Sequence, residues 1–389
     1  MSRFRSIFSQ FLQLFPSREQ KYKRRYIKMS RMFRWSLVLV FALGSANLAF
    51  GQTQQPGKQV QVKIAGHMPI GHYLTTACER FIKEAEQRSK GTLKFTYYPA
   101  GQLAMDVKAL QMCQQGGVEM AQFFLNRATG VVPEATLPQS PYFEDIDTWS
   151  RRMYDVAGGA GIYEKLLRQK LAPHNLYVLP GFLYDPVHTT VTVGKSLSKM
   201  EDYKGLKFRV SGRELGAALE SWGAKAVVMS SADVYMSLQR GTIDGANSGP
   251  SSIRSRKWFE MCKQMQILGE TIGTLDMIVN LAWWKGLSAE QRTVIEEAMR
   301  VSTIWSWEVA WAEFDKDLED LKSKGVKIFD FRTAAAGELE KMKSAAIPEM
   351  EKLIKPTMDN ASWEMHISTM KASKTGKLRW KELLPTMKW

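Results

Sequence analysis

The chain has 389 residues, 54 of them Lys or Arg against 39 Asp or Glu, for a formal charge of +15; 44% of residues are apolar and 11% aromatic. That composition excludes intrinsic disorder, a collagen-like repeat and a disulfide-held miniprotein, and the length provides roughly two or three domains' worth of chain. A charge of this size raises nucleic acid or a membrane surface as partners until its distribution is considered.

The distribution removes most of that argument. Residues 1–51 hold ten basic residues, from Arg3 to Arg34, and one acid, Glu19, so +9 of the +15 lies there. Ser36 to Phe50 then forms an apolar run of about 15 residues, short of the roughly 20 that a membrane-spanning helix requires. Ala49-Phe50-Gly51 completes a small-x-small site. A basic stretch, a short apolar stretch and such a site read as a secretory signal peptide over 1–51, cleaved near Gly51/Gln52. The mature chain then carries +6, and no nucleic-acid partner is expected. Cys78, Cys113 and Cys262 include no C-x-x-C pair, which leaves no zinc or redox motif. Cys78 and Cys113 fall in helical patterns and read as small buried residues; one disulfide is allowed, with no pairing assigned.

Val60 to Ile64 alternates with period two and predicts a strand, followed by the loop Gly66-His-Met-Pro-Ile-Gly-His72 and a helix with apolar positions at Leu74, Ala77, Cys78, Phe81 and Ala85. Leu93 to Tyr97 is a second strand, succeeded by a helix to about Gln115, and Val118 to Leu125 is a third. This alternation indicates an α/β fold with a largely parallel sheet. Leu176 to Leu183 and Val187 to Val193 read as further strands. Gly205 to Val210, Arg213 to Trp222, Lys225 to Met229, Ser231 to Arg240 and Thr242 to Ala246 then form a compact β-α-β-α-β unit, with Ser230 and Asp233 spaced as a capping box. Ser288 and Gln291 open another box, and a helical pattern through Val294, Ala298, Val301, Trp305, Trp311, Phe314, Leu318 and Leu321 runs to Lys324, where Gly325 stops it. A helix of that length is roughly 50 Å long and is expected to bridge two lobes. Helices over about 335–354 and 359–372 finish the chain.

Enzyme and metal signatures are missing. There is no H-E-x-x-H or G-x-S-x-G, and Gly194-Lys195-Ser196 ends like a phosphate loop with Thr189 where its first glycine should stand. His67 and His72 share a loop without Cys, Asp or Glu at ligand spacing, so no metal and no cofactor are expected. What the sequence offers is a binding constellation. Arg209 lies one residue from the C-terminal end of its predicted strand, where open α/β sheets bind ligands, and Ser211-Gly212 opens a helix whose N-terminus favours anions. A guanidinium grips a carboxylate in bidentate fashion; an ordinary ion pair is the alternative. Asn247 and Ser248, expected just after the strand Thr242 to Ala246, sit at the same edge, either as hydrogen-bonding groups or as turn residues beside Gly249-Pro250.

At these residues the chain resembles a known family, the DctP-type solute receptors of tripartite ATP-independent periplasmic (TRAP) transporters. The resemblance rests on Tyr203-Lys-Gly-Leu-Lys-Phe-Arg-Val210, Trp222-Gly-Ala-Lys-Ala-Val-Val-Met229, and Ala232 through Gly245 with its Gln239-Arg-Gly-Thr-Ile-Asp-Gly ending. Tyr98-Pro-Ala-Gly-Gln-Leu103, Pro133-Glu134 to Pro141-Tyr142, and Trp284 to Glu297 add to it, so it covers about 60–370. It implies a two-lobed α/β flytrap fold of periplasmic-binding-protein type with a long lobe-spanning helix, lobe I being 52–186 plus 273–313 and lobe II 187–272 plus 314–389 with the C-terminal helices. It further implies a non-enzymatic periplasmic receptor that captures an organic acid and delivers it to a TRAP membrane permease driven by an ion gradient. Arg209 matches the family's carboxylate-clamping arginine, and the His67 loop, Phe124 to Arg127, and Asn247 to Ser248 fall where members line the cleft. Several members carry a second arginine after the strand that here reads Asp185-Pro-Val-His188-Thr189, and Glu is common where Asn247 stands. Both departures favour a less charged monocarboxylate, hydroxylated or aromatic, over a dicarboxylate or sialic acid, with Tyr184 and His188 as added lining. The rival classes are an exported ligand sensor serving a signalling partner and an exported enzyme with an unrecognised site. Oligomeric state is not legible.

Overall fold

The computed structural model describes residues 59–156 and 159–386; the expected leader 1–51 and its expected cleavage site lie outside them. Val60–Ala65 (β1), Leu93–Tyr98 (β2) and Met120–Phe123 (β3) come first, then the short pair Asp155–Val156 (β4) and Gly159–Ala160 (β5). Leu176–Asp185 (β6) and Thr189–Thr192 (β7) follow, then Lys207–Val210 (β8), Lys225–Val228 (β9) and Gly245–Ser248 (β10). Gln264–Ile267 (β11), Gly273–Asn280 (β12) and Lys327–Asp330 (β13) complete the strands.

Five strands form one sheet in the order β2-β1-β3-β12-β6, and six form another in the order β13-β11-β7-β10-β8-β9. The sheets are mixed rather than wholly parallel. β12 runs antiparallel to both β3 and β6, and β7 runs antiparallel to both β10 and β11. These reversed strands arise where the chain passes between the sheets, since β6 leads directly into β7 and β11 into β12. The result is a two-lobed α/β fold. Phe81, Met120, Phe182, Met277 and Met299 pack together against the first sheet. On β8, Phe208 and Val210 join a cluster with Tyr203 and Trp222, while period-two alternation turns the intervening Arg209 to the opposite face, beside Trp258.

Helix Ala289–Ser323 carries the Ser288/Gln291 capping box, with Ser288 Oγ accepting from the Gln291 amide at 3.1 Å and Gln291 Oε1 from the Ser288 amide at 3.0 Å. It packs against helix Tyr73–Arg88 and β6, and further along against helix Pro250–Ser255 of the second lobe. Its buried stripe is Ile295, Ala298, Met299, Ser302, Thr303, Ser306, Trp307, Ala310, Phe314, Asp317 and Leu321. Ala298, Phe314 and Leu321 lie on it as expected, whereas Val294, Val301, Trp305 and Leu318 are half-buried, Trp311 is exposed, and Ser302, Thr303 and Ser306 join the buried face. The Ser230–Asp233 box does not form: the helix starts at Val234 and Asp233 makes no side-chain cap. In the tail, Ala336–Ile354 packs on Arg213–Ser221, whereas Asn360–Thr375 and Trp380–Leu383 return to helix Ile146–Tyr154. Arg151 Nε donates to the Ser373 carbonyl at 2.7 Å there, and the Trp380 ring lies 5.5 Å from Trp307.

Cys78, Cys113 and Cys262 are free thiols, each buried in the core. Burial disfavours the thiolate, the reactive form. In a thiol-reagent assay the folded protein is therefore expected to leave all three unmodified over the time in which the guanidinium-unfolded chain reacts at all three.

Candidate functional site

The carboxyl ends of β3, β8 and β10 and the crossing segments around β6–β7 converge on one cavity of about 20 Å³, room for roughly one water, so an organic ligand requires its walls to part. All eight residues singled out from the sequence line it: His67, Phe124, Arg127, Tyr184, His188, Arg209, Asn247 and Ser248. Asn247 and Ser248 do so from within β10 rather than after it, since that strand begins at Gly245 and pairs as far as Ser248 with Thr189 of β7.

Arg209 is fixed by the backbone around it. Its Nε donates to the Met229 carbonyl and its Nη1 to the Asn247 carbonyl, each at 2.9 Å, and its guanidinium carbon lies 5.8 Å from the Trp258 ring centroid. The residue is 2% exposed. Burial first, and then the charge of Arg127, lowers its pKa to about 9, which still leaves a cation at neutral pH. Arg127 ends the turn after β3 and lies 3.5 Å from Asp106 Oδ1. Arg256, one residue past helix Pro250–Ser255, adds a third guanidinium, its pKa also lowered chiefly by burial. Nε of Arg127 and of Arg256 are buried with no hydrogen-bond partner. Desolvated donors without an acceptor are costly, so the cavity is built for a group that brings oxygen acceptors and negative charge.

An aromatic wall faces these cations. The His67 ring meets Phe124 edge-on at 5.1 Å, Phe124 meets Tyr184 likewise at 5.1 Å, and Tyr184 lies 6.1 Å from His188. The Tyr184 hydroxyl pairs with Ser248 Oγ at 3.0 Å across the crossing segments. Burial holds His67 at about 3 and His188 at about 4, so both rings are neutral at pH 7. His72, the other histidine of the first loop, caps helix Tyr73–Arg88 through Nδ1, which accepts from the Leu74 amide at 3.1 Å. Among the described residues no group of three His, Cys, Asp or Glu side chains is placed to hold a metal, and no helix is long and apolar enough to cross a membrane.

Sequence reasoning missed Arg256, Gln139, Ser231 and Ser252, which also line the cavity, as does Ser211 at the helix opening. Asn126, within the stretch Phe124 to Arg127, spans the lobes: its Nδ2 donates to Glu214 Oε1 at 2.9 Å and to Ser211 Oγ at 3.2 Å. Nothing in the pattern Ile253-Arg-Ser-Arg256 distinguishes the exposed-side Arg254, which pairs with Asp317, from Arg256, which turns inward.

Residues 65–356 match the family model described as bacterial extracellular solute-binding protein, family 7 (DctP). The C4-dicarboxylate-binding periplasmic protein DctP of Rhodobacter capsulatus is 30% identical over 258 residues, 66% of this chain and 75% of that protein. The sialic acid-binding periplasmic protein SiaP of Vibrio cholerae is 26% identical over 241 residues, 61% of this chain and 73% of that protein. Among solved structures, a TRAP periplasmic solute-binding protein of Desulfovibrio salexigens with bound orotic acid superposes with a TM-score of 0.74 at 18% identity, covering 81% of this chain and 98% of that one.

Proposed function

Because the chain belongs to family 7 of the bacterial extracellular solute-binding proteins, the DctP family, we propose that it captures a small organic acid through the buried fork of Arg209 and delivers it to a TRAP-type membrane permease. In this reading the leader is removed near Gly51/Gln52 and the mature chain works in the periplasm. The first sheet with its helices is lobe I and the second is lobe II. The ligand is held between them, and its binding offsets the cost of closure. The observation that carries the reading is Arg209 itself, 2% exposed, held by two backbone carbonyls and facing a cavity shared with Arg127 and Arg256. Those three cations against Asp106 favour an anion, and the neutral aromatic wall favours a compact ligand with apolar surface.

An exported enzyme is the second reading, favoured by the buried pair His188 and Glu270, 3.9 Å apart. Against it, the nearby Ser248 hydroxyl pairs with Tyr184, so neither His188 nor Glu270 addresses it as a nucleophile. We therefore hold the protein to be a receptor without catalysis.

Thermal shift with a library of small carboxylic acids, each paired with its primary amide, tests the carboxylate. Ligand binding to the folded state raises the melting temperature by mass action. At least one acid is expected to raise it by several degrees while its amide does not. Equal shifts from acid and amide, or shifts from neutral solutes alone, count against the reading.

A further inference from the structure

The end of the cavity beside the arginines contains polar groups that a carboxylate does not explain. His188 and Asn247 both line the cavity and are 3% and 2% exposed. Asn247 Nδ2 donates to Glu270 Oε1 and, at 3.4 Å, to the Thr189 carbonyl. Its Oδ1 is buried and has no hydrogen-bond partner. Both ring nitrogens of His188 are likewise buried without a well-aligned hydrogen bond, with Nδ1 3.9 Å from Glu270 Oε1 and the Asn247 side chain close enough to favour the ring's protonated form. Glu270 itself is 2% exposed and does not line the cavity; its backbone carbonyl accepts from the Phe143 amide at 3.0 Å, which ties the crossing segment in place.

Hydrogen-bond bookkeeping then orients the two lining side chains. An amide whose NH2 is spent on Glu270 and on a carbonyl presents its oxygen on the other side, an acceptor only. A neutral imidazole that turns its Nδ1–H toward Glu270 presents Nε2, again an acceptor. We propose that Glu270, as a positioning residue, holds Asn247 and His188 as a pair of acceptors, forming a subsite that takes a hydroxyl of the bound acid and rejects a second carboxylate. A hydroxyl supplies the missing donor. A second carboxylate brings only acceptors to acceptors, with the Glu270 carboxyl behind them. Arg127, Arg209 and Arg256 nearby disfavour an ammonium in the same place. Burial raises the Glu270 pKa to about 7, consistent with a carboxyl that has one direct side-chain donor, Asn247. The inference rests on the carboxylate reading above and narrows it to hydroxylated monocarboxylates.

The test uses the mature protein and two matched sets of acids by calorimetric titration: butanoate, its 2-, 3- and 4-hydroxy derivatives and succinate; and benzoate, its three hydroxy derivatives and phthalate. At least one hydroxy acid is expected to bind roughly tenfold or more tighter than both its parent acid and the corresponding dicarboxylate, because a buried hydrogen-bonding site discriminates against a ligand lacking the group. In Glu270→Gln the buried amide can turn either end toward Asn247. That preference is expected to fall by roughly tenfold while the parent acid keeps its affinity. His188→Leu is expected to weaken the hydroxy acid by a larger factor than the parent acid. Loss of stability alone weakens every acid alike, so the ratio within a set separates positioning from structural damage. A dicarboxylate that binds as tightly as the hydroxy acids, or a preference unchanged in Glu270→Gln, overturns the subsite while leaving the carboxylate reading standing. Absence of binding by every acid in both sets overturns both.

Discussion

Arg209→Ala is expected to lower the affinity for the bound acid by about a hundredfold or more, the range found when one side of a buried, charge-assisted hydrogen-bonded pair is removed. The size follows from the placement. Nε and Nη1 are committed to the Met229 and Asn247 carbonyls, which fixes the plane of the guanidinium before any ligand arrives. The remaining donors therefore meet a carboxylate with little ordering cost. Arg209→Lys keeps a charge on a flexible stem and loses the planar fork, so it is expected to lie between the parent and the alanine variant. The unliganded variants should melt close to the parent. The cation is desolvated and lies near Arg127, which lowers its pKa to about 9 and makes the empty cleft bear its charge unpaired. What alanine should abolish is the rise in melting temperature with added acid. Calorimetric titration and thermal melts read the two effects separately.

Gly181→Ala is the corresponding expectation for the scaffold. Gly181 lies in β6, the strand that carries the chain toward the second lobe, and its amide donates to Asp276 Oδ1 of β12 at 2.9 Å. An added Cβ would lie 1.9 Å from the Leu275 carbonyl oxygen and 2.4 Å from the Asp276 Cα. Both are backbone atoms, so no side chain can turn aside. The β6–β12 pair must part at an irregular point in its register, between Leu275 and Met277. Asp276 is also the acceptor of the Tyr163 hydroxyl at 2.7 Å, so parting the strands strips partners from a buried carboxyl. A loss of about 3 kcal/mol or more is expected by overpacking and broken buried hydrogen bonds together. Chemical denaturation should register it as a lower midpoint, or the variant should fail to fold. A midpoint equal to the parent's contradicts the packing described here.

Much of the fold could be read from periodicity because its signals were local. β1 and β2 each have a solvated side and alternate accordingly, and the long helix announces its start through Ser288 and Gln291 and its end through Gly325, which takes a φ of +83°. β12 was invisible for the opposite reason. All eight of its residues are buried, so no alternation survives, and Thr274 and Asp276 interrupt the apolar run because they pair inside the core. β11 and β13 are four-residue strands whose identity comes from pairing with each other and with β7. The long helix is legible with Ala298, Phe314 and Leu321 on its buried face, but Ser302, Thr303 and Ser306 are not, since hydroxyl residues carry no apolar periodicity. In the cleft, Arg209 was legible from its place at a strand end before a helix. Arg256 and Glu270 were not, because each acquires its role only when the lobes and crossing segments come together.

On the proposed function, one buried guanidinium, Arg209, holds the organic acid. Native mass spectrometry of the mature protein, purified without added ligand and compared with Arg209→Ala, tests it most directly. The expected result is a parent carrying one small acid that is released on denaturation, and an alanine variant purified empty. A neutral or cationic ligand on the parent, or the same acid retained equally by the variant, would contradict it.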